Sequence, residues 1–218
     1  MALSLESRRK VAEFLLRIKA VQLQPENPFQ WASGRYAPIY CDNRKTLSHP
    51  QVRTYIRQQA VELIEDRFGR VDAIAGVATG GIALGALIAQ ELGLPFIYVR
   101  SSAKAHGMGN QIEGDLSVLS NCVVIEDLVS TGKSSLEAVA VLREAGVQVK
   151  GLVAIFTYGF PDAAAAFEAA ACPWETLTDY PTMLDQALAE GYVTDDSTQI
   201  LQSWSADPQA WSDNNAPR

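Results

Sequence analysis

The chain has 218 residues, enough for one sizeable hydrophobic core with a smaller appended part and too few for two large independent domains. Its 48% hydrophobic and 20% charged side chains are those of an ordinary globular protein, and no long polar low-complexity tract argues for disorder. A net charge of -7, with a pI near 4.9, repels phosphate backbones, so nucleic-acid binding is not expected and any phosphate site must be local.

Val11, Phe14, Leu15 and Ile18 recur at helical spacing and predict an amphipathic helix from residue 4 to about residue 21. The opening MALSLESRRK lacks the apolar stretch of a secretory signal, and no apolar run of about 18 residues occurs elsewhere, so no membrane role is expected. A loop rich in Pro, Gly and aromatics is expected over 25–48. Pro50 can then open a second helix carrying Val52, Ile56, Leu63 and Ile64 and ending near Gly69.

From Val71 onward short apolar runs alternate with helical patterns. VDAIAGV precedes a helix over 81–92, PFIYVR follows from Pro95, and CVVIE ends at Glu126 before a helix over about 132–145. GLVAIF from Gly151 supplies another buried strand. Such alternation predicts an α/β protein with a doubly wound parallel sheet core. Beyond Pro161, AAAAFEAAA predicts one more helix, because Ala favours helix strongly. Short elements are expected around Trp174, Tyr180 and Met183, and the polar tail after Asp207 is expected to fray. The three cysteines, Cys41, Cys122 and Cys172, are odd in number and lack metal-ligand spacing, which fits a reduced cytoplasmic compartment.

The segment richest in chemistry is VVIEDLVSTGKSS, residues 123–135: a buried strand, two adjacent carboxylates, then hydroxyls and glycine leading into a helix. Ligands of open parallel sheets bind outside the carboxyl ends of the strands, where Glu126 and Asp127 are expected. Residues 130–134 offer N–H groups and hydroxyls at a helix N-terminus, whose dipole favours a phosphate. A nucleotide triphosphatase loop is the rival reading of Thr131-Gly132-Lys133-Ser134. It fails on spacing, since Asp127 occupies the place of the first glycine.

This segment resembles the phosphoribosyl pyrophosphate (PRPP) motif of type I phosphoribosyltransferases. Two further segments narrow the resemblance to orotate phosphoribosyltransferases: PFQWASGRYAPIYCDNR, residues 28–44, is similar to their N-terminal hood, and RSSAKAHGMGNQIEG, residues 100–114, to their mobile catalytic loop. The likeness covers residues from about 14 to about 204. It implies one phosphoribosyltransferase domain, with a hood from about 1–48 plus about 173–205 and a PRPP-binding core over about 49–172.

The same resemblance implies that Glu126 and Asp127 hold the ribose hydroxyls and that Ser130, Thr131, Gly132, Lys133 and Ser134 hold the 5′-phosphate. Arg100, Lys104 and His106 would close over the leaving pyrophosphate, where cations stabilise the developing negative charge. Glycines 107, 109 and 114 would let that loop act as a lid. The turn at Ala78, Thr79, Gly80 and Gly81 resembles the family's pyrophosphate loop. Ser33, Gly34, Tyr40, Arg44 and Ser130 are the expected orotate contacts. Lys104, His106 and Asp127 are the expected catalytic residues. Mg²⁺ is the implied cofactor, bound mainly through PRPP with no direct protein ligand expected. The implied assembly is a homodimer whose 100–114 loop reaches the neighbouring site.

The sequence departs from the resemblance where many members carry lysines, at Ala32, Gly80 and Ser101, and Glu126 stands where many have Asp. Two alternatives share the PRPP turn. A purine-base phosphoribosyltransferase would lack the W-A-S-G hood segment, and a PRPP-sensing, nucleic-acid-binding regulator would need a basic stripe that this acidic chain lacks.

Overall fold

The computed structural model of the chain describes residues 3–31, 33–101, 111–117 and 119–215. The first helix, α1 (Leu5–Arg17), is capped by Ser4, whose side chain accepts from the Ser7 N–H, and it buries Val11, Phe14 and Leu15. It ends at Arg17, short of the expected residue 21, because Lys19 turns left-handed at φ 55° and Val21 enters a strand. The loop expected over 25–48 is largely ordered into short pieces. β1 (Val21–Leu23) pairs antiparallel with β4 (Ile39–Cys41), and β2 (Phe29–Gln30) with β3 (Tyr36–Ala37), before a 3-10 turn at Asn43–Ser48. Strands of two or three residues are too short to show an alternation, so periodicity cannot reveal them.

Pro50 sits in the first turn of α2 (Pro50–Phe68), where its missing N–H is harmless. The chain continues through β5 (Ala73–Val77), α3 (Gly80–Leu92), β6 (Phe96–Val99), β7 (Ile112–Glu113), β8 (Asn121–Val129) and α4 (Lys133–Glu144). It finishes through β9 (Gln148–Thr157), α5 (Pro161–Ala169), β10 (Trp174–Asp179), α6 (Tyr180–Ala189), α7 (Asp195–Ala206) and α8 (Pro208–Asn215).

Six strands form one sheet in the order β10-β9-β8-β5-β6-β7, parallel throughout except for the antiparallel β7 at the edge. Alternate residues of β8 serve opposite faces. Val123 and Ile125 join the cluster that holds α2, α3 and α6, while Cys122 and Val124 join the one that holds α4 and α5. The sheet is therefore covered on both sides, as its uninterrupted apolar strands require. The chain runs outward from β5 to β6, then returns to place β8 on the other side of β5. That reversal opens a crevice at the carboxyl ends of β5 and β8.

Three further expectations need correction. The CVVIE strand does not end at Glu126 but runs to Val129, so both acids lie inside the strand, held by pairing with β9. The segment 174–179, expected with the hood, hydrogen-bonds into the central sheet beside β9. The tail after Asp207 is helical, because Trp211 is buried and the Ser212 hydroxyl accepts from the Tyr36 N–H at 2.9 Å.

Candidate active site

β8 delivers the acid pair to the crevice, and the two carboxylates have different surroundings. Glu126 is only 5% exposed; one of its oxygens accepts from the Asp127 N–H at 3.0 Å and the other from the Ser135 hydroxyl at 3.3 Å. Burial pushes its carboxyl up to about 9, with the negative charge of Asp127 and a hydrogen bond to that side chain adding to the effect. Its surroundings thus favour the protonated carboxyl. Asp127 is less buried and lies over Gly80, where a Cβ would overlap its carboxylate. Position 80 has no room for a side chain while Asp127 keeps this rotamer.

The opposite wall is the turn from β5 into α3. The Ala78–Thr79 peptide is cis, Ala78 donates its N–H to the Val99 carbonyl at 2.8 Å, and α3 begins at Gly80. A Cβ on Gly81 would run into the Ile125 carbonyl, so only glycine lets α3 approach β8 this closely.

Past Val129 the chain turns through Ser130, Thr131 and Gly132 into α4. Gly132 adopts a left-handed φ of 78°, which a side chain would strain, and no side chain caps the helix. The first-turn N–H groups of α4 are therefore left without a side-chain cap at the positive end of the helix dipole, an arrangement suited to an anion. Thr131, Lys133 and Ser134 are exposed around this turn. Thr157 braces it from β9, its hydroxyl donating to the Val129 carbonyl at 3.0 Å and accepting from the Gly159 N–H at 3.0 Å.

A cavity of about 380 Å³ lies between the hood and the sheet. The hood lines it with Gln30, Trp31, Tyr40 and Cys41, the sheet ends with Leu128, Ser130 and Tyr158. Trp31 anchors the hood: its indole N–H donates to the Ile39 carbonyl at 3.0 Å, and its ring lies 5.3 Å from Tyr158 and 5.9 Å from Trp204. A second cavity of about 440 Å³ includes Ala78, Arg100, Gln111 and Ser134. Arg100 pairs with Glu113 at 3.6 Å.

The structure brings Tyr40 and Ser130 together at the first cavity, and gathers Asp127, Thr79, Gly80 and the 130–134 turn at the crevice. Ser33 and Gly34 sit in the exposed turn between β2 and β3 and do not line the cavity. Arg44 is exposed and bound to Asp42 at 2.7 Å, and this hydrogen bond holds the Asp42 carboxyl below its ordinary range. Lys104 and His106 lie outside the described residues, as does Ala32. Sequence reasoning missed Gln30, Trp31, Cys41, Leu128 and Tyr158 as cavity residues. Tyr158 follows the carboxyl end of β9, so the rule that ligands gather at strand ends was the signal available for it.

A family model described as phosphoribosyl transferase domain matches residues 44–165. The orotate phosphoribosyltransferase of Porphyromonas gingivalis is 53% identical over 201 residues, covering 92% of this chain and 96% of that protein. That of Bacteroides fragilis is 54% identical over 203 residues, covering 93% and 96%. Among solved structures, orotate phosphoribosyltransferase from Aeropyrum pernix matches with a TM-score of 0.71 and 25% identity, over 84% of this chain and 99% of that one. With its crevice at the strand reversal and its resemblance along nearly the whole length, the chain belongs to the orotate phosphoribosyltransferase family.

Proposed function

We propose that the protein transfers the 5-phosphoribosyl group of PRPP to orotate, giving orotidine 5′-monophosphate and pyrophosphate in de novo pyrimidine (UMP) synthesis. The observation that carries this reading is the juxtaposition at one strand reversal of an outward carboxylate, an uncapped helix N-terminus and a hooded cavity. A ring nitrogen of orotate attacks the anomeric carbon as the bond to the pyrophosphate oxygen breaks. The leaving group takes the electron pair, the attacking nitrogen gives up its proton to the medium, and the configuration inverts. No protein nucleophile is required; the chain positions the reactants and screens charge.

Asp127 meets the ribose hydroxyls, with Glu126 beside it as the buried member of the pair. Ser130, Thr131, Gly132, Lys133 and Ser134 receive the 5′-phosphate, mainly through N–H groups. Thr79 and Gly80 face the pyrophosphate, and Arg100, Lys104 and His106 close over it. Tyr40, Ser130, Ser33, Gly34 and Arg44 serve the orotate side.

The donor set of the crevice suits Mg²⁺, a hard cation that takes oxygen ligands and keeps several waters. It would be held mainly by PRPP oxygens and water, with no direct protein ligand, beside the Asp127 carboxylate that meets the ribose. When bound, it supplies charge neutralisation of the departing pyrophosphate. The reading extends to a hood and core within one domain, a cytoplasmic location and a homodimer with shared sites. No helix among the described residues is long and apolar enough to cross a membrane.

Loss of orotate absorbance on adding PRPP and Mg²⁺ tests the reaction, and hypoxanthine, adenine and uracil in place of orotate should leave PRPP unconsumed. Turnover of a purine base in preference to orotate would overturn the assignment. If sites are shared, mixing inactive Lys104→Ala and Asp127→Asn proteins should restore activity once subunits exchange; no recovery despite proven exchange would refute sharing.

A further inference from the structure

β8 outlasts its neighbour on one side. β5 pairs with it only as far as Gly76 opposite Ile125 and then turns into α3, whereas β9 accompanies β8 to Val129. On the β9 side Glu126 and Leu128 face Ala154 and Phe156, so that pairing stays in register through Asp127. Asp127 therefore sits at a strand edge that β5 has vacated.

Side chains fill the gap. The Asp127 N–H donates to Glu126 Oε1 at 3.0 Å, and its carbonyl accepts from Asn43 Nδ2 at 2.6 Å. Buried main-chain groups need such partners, and an unmet carbonyl here would leave the peptide free to rotate.

Asn43 is itself held on every side. It is 1% exposed, its carbonyl accepts from the Thr46 hydroxyl at 2.6 Å, and its Oδ1 accepts from the Cys41 thiol at 3.3 Å. A carbonyl can only accept, so the carboxamide must turn Nδ2 toward Asp127, and the thiol donating to Oδ1 opposes a flip. Burial pushes the Cys41 thiol well up, which keeps that donor protonated. A hydrogen-bonded line thus runs from the hood, through Cys41 and Asn43, into the main chain of the acid pair.

We propose that Asn43 is a positioning residue: by completing the strand edge at Asp127 it sets the direction in which the Asp127 carboxylate meets the ribose of PRPP. The inference rests on the reading that Asp127 contacts that ribose. Asn43→Asp puts an acceptor opposite the Asp127 carbonyl, and Asn43→Ala leaves the carbonyl unmet.

For Asn43→Asp, kcat/KM for PRPP should fall roughly tenfold or more, and for Asn43→Ala somewhat less, with KM for orotate within about twofold of wild type. The rise in melting temperature on adding PRPP with Mg²⁺ should shrink in the same order, which a purely structural role would not produce. Folded variants with unchanged PRPP kinetics and an unchanged PRPP-induced shift would overturn the proposal. So would loss of the folded state in both, since Asn43 would then be structural only. If wild type consumes no orotate, the functional reading fails, while the PRPP-induced shift still decides the role of Asn43.

Discussion

The end of β8 and the hood reach the same cavity by opposite means. At β8 the main chain does the placing: pairing with β9 carries the strand to Val129, Gly81 admits α3 against Ile125, and Glu126 is buried beneath the peptide it braces. In the hood, strands of two and three residues hold little by themselves. Side chains tie them down: Trp31 against Tyr158 and Trp204, and Tyr36 to Ser212. The difference separates two kinds of failure. Damage at β8 should cost fold and activity together, whereas damage in the hood should loosen the orotate side first.

The largest effect is expected from Gly81→Ala. The added methyl meets a main-chain carbonyl of a central strand, which cannot move without shifting the sheet. Destabilisation of about 3 kcal/mol or more, with loss of PRPP binding, should appear in urea denaturation and calorimetry. A protein of wild-type stability would show that α3 can back away from β8.

Trp31→Ala tests the other half of the comparison. It removes two aromatic contacts and the bond to the Ile39 carbonyl, so a loss of roughly 2 kcal/mol is expected, together with a raised KM for orotate and a nearly unchanged KM for PRPP. Equal damage to both Michaelis constants would mean that hood and core do not act as separable parts.

Glu126→Gln sharpens the comparison through pH. The folded chain keeps the Glu126 proton up to about 9, against an ordinary 4.5, so between those values it binds more protons than the unfolded chain. This group's penalty is absent below the lower value and grows until pH passes the upper one, so stability declines across that window. Gln keeps the shape without the charge. Its advantage over wild type should be near zero at about pH 5 and on the order of 1 kcal/mol or more at about pH 9, read from urea midpoints. A constant difference at both pH values would show that Glu126 is not protonated in the fold.

The smallest effect is expected from Arg44→Ala, which breaks an exposed pair with Asp42 and should change stability by less than about 0.5 kcal/mol. A rise in KM for orotate without any change in stability would place Arg44 on the substrate rather than in the hood's framework.

Apolar runs separated by helical patterns were enough to anticipate β5, β6, β8 and β9 and the helices between them, because each is long enough for its period to show. The acid pair and the glycine turn that follows it were legible for the same reason, lying in one continuous stretch from Val123 to Ser135. Trp31, Cys41 and Tyr158 were not, since residues so far apart in the chain meet only when the hood folds over the sheet. Nor could local pattern place β7 or keep β8 running past Glu126, because both depend on hydrogen bonds to strands elsewhere.

By itself the order of residues determined the doubly wound class, the acid pair following a buried apolar run and the glycine turn before α4, all consequences of local periodicity and backbone preference. Only the tertiary structure decided that β5 stops short of β8, that Glu126 turns inward while Asp127 lies over Gly80, and that Asn43 fills the vacated edge. The reason is physical. Where a strand ends relative to its neighbour, and hence which main-chain groups need a side-chain partner, is a property of the pair and is written in neither strand alone.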